Sequence, residues 1–75
     1  MMYKIARNLK VLGLEYEVVT IDTELNLHRI VVNNGETIIT CDPDRKHFII
    51  NNKNIGTLEY KSNKGIVNRL WDLYR

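Results

Sequence analysis

Five residues in the middle of this chain are of types that do chemistry: His28, Cys41, Asp42, Asp44 and His47. A nucleophilic thiol needs a base within hydrogen-bond reach and a depressed pKa. A transition-metal site needs about three or four converging ligands. The hairpin register derived below places His28 beside Cys41, with His47 just across a turn. The same residues also fit plain structure, as a small buried cysteine at a strand end followed by an acidic turn whose side chains cap the local backbone. The turn chemistry favours that structural role, so no metal, cofactor or catalytic residue is assigned. Glu36 and Asp44 are not spaced as a general acid–base pair, and the chain has no glycine-rich phosphate loop. The expectation is a protein that binds rather than catalyses.

Charge is the second source of candidates. The net charge of +2 is too small to imply nucleic acid by itself, but its distribution is uneven. Lys4, Arg7 and Lys10 open the chain with no acid among them. Glu15, Glu17, Asp22, Glu24, Glu36, Asp42 and Asp44 then dominate the middle. The remainder turns basic again with Arg45, Lys46, Lys53, Lys61, Lys64, Arg69 and Arg75. Two recognition surfaces follow. An acidic face of Glu15, Glu17, Glu36, Asp42 and Asp44 would meet a basic partner protein, including the channel of a nucleic-acid-binding enzyme, with electrostatic steering of the encounter. Alternatively, Lys4, Arg7, Lys10, Lys61, Lys64 and Arg69 on basic helix faces would neutralise phosphates. The chain carries no helix-turn-helix, ribbon-helix-helix or RNA-recognition signature.

These side chains must be positioned by a small scaffold. Seventy-five residues suffice for a single domain over 1–75, and the 44% apolar and 27% charged fractions are those of globular proteins. No apolar run reaches the length of a membrane span, and the start has no signal-peptide pattern. With a lone cysteine excluding an internal disulfide, a cytoplasmic location is expected. Abundant Asn, Ile and Lys reflect AT-rich coding, which suggests a low-GC bacterium, a phage or a plasmid.

Met2, Ile5, Ala6, Leu9 and Leu12 share one helical face, and Gly13 then supplies a stop that lets Leu14 fold back on Leu9. The spacing predicts a helix over 2–12. Residues 15–22 read as a strand. Residues 27–33 and 36–41 form a hairpin about Asn34-Gly35, whose type I′ turn pairs Val32 with Thr37, Ile30 with Ile39 and His28 with Cys41 on the more buried face. Residues 42–45 form a turn with Pro43 in its second position, 46–51 a strand, 51–54 another reversal and 55–60 a last strand in which Gly56 marks a bulge or a close approach. Ser62 caps a final helix in which Val67, Leu70, Trp71 and Tyr74 share a stripe, weakened slightly by Gly65. The fold class is therefore α+β, an N-terminal helix, an antiparallel meander of four to five strands, and a C-terminal helix packed on one sheet face.

Ala6 to Asp22, ARNLKVLGLEYEVVTID, resembles the helix-to-strand segment that follows the active-site cysteines of glutaredoxins. Phe48 to Gly56, FIINNKNIG, resembles their later strand and hairpin. No Cys-x-x-Cys or Cys-x-x-Ser precedes the first helix, no strand leads it, and no proline stands before Phe48. No redox activity is carried over.

The strands carry aliphatic residues on both faces, Ile30, Val32 and Ile39 on one and Val31 and Ile38 on the other. Two short helices cover one such face, so a partner protein or a homodimer would cover the second. The reading is a small non-enzymatic protein-binding module, extended to an inhibitor or regulator of a host protein carried by a phage or mobile element. A nucleic-acid-binding regulator is the alternative.

Overall fold

A computed structural model describes residues 2–75. Its elements are α1 (Met2–Val11), β1 (Tyr16–Asp22), β2 (Leu27–Val32), β3 (Thr37–Asp42), β4 (His47–Asn52), β5 (Gly56–Tyr60) and α2 (Asn63–Tyr74). The five strands form one antiparallel meander in the order β1-β2-β3-β4-β5, and both helices lie on one face. This is the α+β architecture expected.

α1 ends one residue short of the predicted position, and the reason is local. Gly13 takes φ +74, its N–H bonds to the Lys10 carbonyl, and the Leu14 N–H reaches back to the Leu9 carbonyl at 3.0 Å. That pair of bonds is a Schellman ending, and a residue with a Cβ would be strained at its left-handed position.

The central hairpin has the predicted register, with His28, Ile30 and Val32 opposite Cys41, Ile39 and Thr37. Its loop is longer than predicted. Asn34 (φ 55) and Gly35 (φ 94) make the type I′ corner, closed by the Glu36 N–H to the Asn33 carbonyl. Asn33 and Glu36 nevertheless leave the ladder, because each finds a partner outside it. The Asn33 N–H donates to the Glu15 carbonyl, and the Glu36 carbonyl accepts from Lys53.

The next turn also differs from expectation. Asp42 remains in β3, paired with His47, and the closing bond runs from the Lys46 N–H to the Pro43 carbonyl. Pro43 therefore stands first in the turn rather than second, and Lys46 sits in the loop at φ 51 instead of opening β4. Asn51 and Asn52 belong to β4, so the last reversal is confined to residues 53–55; Gly56 makes neither a bulge nor a close approach but pairs with Asn52 in unbroken register, its φ of +82 closing the turn.

The core is a sandwich of sheet and helices. Ile30, Val32, Ile39, Cys41, Phe48 and Ile50 from the sheet meet Ile5 and Leu9 of α1 and Ile66 and Leu70 of α2. Fully burying an aliphatic side chain stabilises the fold by about 1.5–3 kcal/mol, and this layer supplies most of what a chain this short can gather. A polar relay closes one end of it. Asn52 donates to Thr37, whose hydroxyl lies against that of Tyr74, and Tyr74 donates to Glu36 at 2.7 Å. Every member of that partly buried chain is satisfied, which holds the last turn of α2 on the hairpin loop.

α2 docks by close approach. A Cβ at Gly65 would lie 2.5 Å from Cδ1 of Tyr60 and 2.8 Å from its Cγ. The glycine predicted to weaken this helix is what lets its first turn sit on the Tyr60 ring.

Candidate functional site

The cluster centred on Cys41 is divided by the sheet. Successive residues of a strand point to opposite faces, so His28 and Cys41 lie on the helix side while Asp42 and His47 project from the other. Burial raises the Cys41 thiol to about 11, leaving almost no thiolate near neutrality. The His28 ring is already engaged, with Nε2 donating to Asn26 Oδ1 at 2.7 Å and Nδ1 facing the Thr20 hydroxyl. Asp42 pairs with Arg45 at 3.0 Å, and His47 lies 3.6 Å from Glu59. Among the described residues no three His, Cys, Asp or Glu side chains converge as a metal site would require.

The five acids are split between the two ends of the sheet. Glu15 and Glu17 line a depression of ≈ 210 Å³ beside Tyr16, Val31 and Asn34. Glu36 stands at the same end of the sheet, with one carboxylate oxygen taken by Tyr74. Asp42 and Asp44 sit at the far end of β3, roughly 17 Å away at the rise of a β-strand. Asp44 there accepts from Asn26.

The basic residues behave differently, because packing of the helices gathers them. α1 and the start of α2 lie side by side on the sheet, and the β3–β4 loop rises against both. Between them is a cleft of ≈ 740 Å³ lined by Lys4 and Arg7 of α1, Lys46 of the loop, and Lys61 and Lys64 at the head of α2. Those segments are far apart in the chain, and the i,i+3 spacing of Lys4 and Arg7 keeps both on one side of α1. No carboxylate lines the cleft among the described residues, and none of the five cations has an ion-pair partner there. Pro43, Val67 and the edge of Phe48 make its apolar walls.

Its geometry is held from behind. Asn8 lines the cleft, accepts the Trp71 indole N–H at 2.8 Å and donates its amide to the Lys4 carbonyl. Ser62 caps α2 by accepting from the Gly65 N–H, as expected of an N-cap.

Of the six basic residues predicted as a nucleic-acid surface, Lys4, Arg7, Lys61 and Lys64 meet in this cleft. Lys10 does not line it. Arg69 is turned to Tyr60, whose hydroxyl accepts from its Nε at 3.0 Å, and that bond raises the guanidinium pKa further. Lys46, expected from sequence to open a strand, joins those four because it lies in the loop before β4.

A second exposed feature is apolar. Val18, Val19, Ile21 and Leu25 are exposed on β1 and the turn after it. β1 is an edge strand exposed from Glu17 to Ile21, with Tyr16 packed against the core. Among the described residues no helix is long and apolar enough to cross a membrane.

Comparison with protein-family models, with curated proteins and with solved structures gives no match for this chain.

Proposed function

We propose that this protein is a small non-enzymatic nucleic-acid-binding module that grips the phosphate backbone through the cleft between α1, the β3–β4 loop and α2. One observation carries the reading: five cations from three separate segments share one concavity without a carboxylate among them. Gathering like charges opposes folding, while ordinary surfaces intersperse the two signs. A polyanion converts that cost into affinity through counterion release. The inert thiol and occupied histidine support binding over catalysis.

The test is equilibrium binding to random-sequence DNA and RNA over a range of salt. With five cations engaged, log K should fall with log salt at a slope of about −3.5 for single strands. Lys61→Glu with Lys64→Glu should abolish binding at moderate salt while leaving the circular-dichroism spectrum unchanged. Salt-independent binding, or undiminished binding by that variant, would overturn the proposal.

A second reading, docking on another protein chain, is favoured by β1. Val19 and Ile21 remain 41% and 42% exposed on an edge strand whose outer backbone groups have no neighbouring strand. Sedimentation across a wide concentration range checks the homodimer form of this reading. Val19→Lys should abolish any self-association that depends on β1.

A further inference from the structure

The walls of the cleft say more than its charge does. Phosphate neutralisation alone needs only a basic surface, because the backbone of a duplex is convex and its bases are stacked inside. This site is instead concave, with a volume of ≈ 740 Å³ that falls within the range of sites enclosing small organic ligands. Its chemistry is two-fold. Lys4, Arg7, Lys46, Lys61 and Lys64 occupy the rim, whereas Pro43 and Val67, both half-buried, present apolar surface between them. Phosphates have no use for apolar walls, but a base, with two flat apolar faces, does.

Resting on the nucleic-acid reading above, we infer that the cleft takes an unpaired nucleotide of a single strand, its base inserted between Pro43 and Val67 and its flanking phosphates held by the basic rim. A paired base cannot enter without first leaving its stack, so duplex is disfavoured by the unstacking it would require. Sequence preference should be weak, because apolar contact is available to every base. Trp71 lies directly behind the site through its bond to Asn8, and it is the only tryptophan in the chain, so its fluorescence reports occupancy.

The experiment compares three probes of equal length by Trp71 fluorescence and by competition: a single-stranded oligodeoxythymidine, the same strand built with abasic sites, and a duplex. The abasic strand keeps every phosphate and removes every base, so the comparison needs no protein variant. The expected order is single strand tightest, with at least about fivefold loss for the abasic strand and for the duplex. Val67→Gln should erase most of the difference between the natural and abasic strands while leaving the salt slope unchanged. Equal affinity for natural and abasic strands, or preference for duplex, would overturn the inference yet leave backbone binding standing. Failure of all three probes to bind at low salt would overturn both.

Discussion

The indole N–H of Trp71 donates to Asn8 Oδ1 at 2.8 Å, joining the two helices across 63 positions of sequence. The same Asn8 holds the Lys4 carbonyl and lines the basic cleft. One side chain thus ties α1 to α2 beside the cations of the cleft.

That bond separates support from charge. Asn8→Ala leaves the half-buried indole N–H unpaired and should cost about 1 kcal/mol of stability. Asn8→Asp keeps the acceptor for Trp71 and places a carboxylate among the cations. It loses the donor to the Lys4 carbonyl, so stability should fall less than in Asn8→Ala, while nucleic-acid binding weakens several-fold. Urea denaturation alongside a binding isotherm for each variant checks the pair, and equal affinity of Asn8→Asp and wild type would count against the cleft.

At Gly65 helix propensity and packing oppose each other. Alanine is the better helix former by about 1 kcal/mol, so a helix free of its surroundings would be strengthened. Here the new methyl would meet the Tyr60 ring at 2.5 Å, near its attachment to the chain where the ring has little freedom to retreat. Gly65→Ala should therefore destabilise the protein by roughly 1–3 kcal/mol. A shift of the denaturation midpoint to higher urea would refute the close approach.

Lys46 stands at φ 51, a region in which side chains other than glycine and asparagine are strained. Lys46→Gly removes that strain and one rim charge together. Stability should hold or rise by about 1 kcal/mol while affinity falls and the salt slope becomes shallower by about 0.7. A variant that is both less stable and unchanged in binding would contradict the placement of Lys46.

The buried thiol makes stability depend on alkaline pH. Cys41 has its pKa raised from 9.0 to about 11 by burial. Its folded form keeps the proton that the unfolded chain releases, so the stabilisation is fully present below about pH 9 and is lost as pH rises through about 11. The loss amounts to roughly 2–3 kcal/mol. Tyr74, raised chiefly by burial, acts in the same direction. Denaturation midpoints at pH 8, 9.5 and 10.5 should show the decline in wild type and a shallower one in Cys41→Ala. Reaction with iodoacetamide at pH 8 should be far slower than for a free cysteine.

What lay within reach of a reading from sequence was local. Asn34-Gly35 prescribes its own backbone, and the period-two alternation on either side sets the register, so every pair from Val32–Thr37 to His28–Cys41 follows. Gly13 ends α1 by the same kind of short-range geometry. Loop details were less legible where one segment bonds to another. Asn33 and Glu36 leave the ladder for Glu15 and Lys53, and neither partner is marked in the hairpin's own residues.

The candidate sites show the division most clearly. Cys41, Asp42 and His47 are near neighbours in sequence, yet alternation along the strand sends them to opposite faces of the sheet. Lys4, Lys46 and Lys61 are remote in sequence, yet packing of α1 and α2 on one face brings them to a single rim. Sequence by itself determined the elements and their pairing, because turns, caps and side-chain periodicity act over a few residues. Only the tertiary structure decided which charges share a surface, because that depends on where two helices come to rest, through contacts such as Asn8–Trp71 and Gly65–Tyr60 that link distant positions by shape.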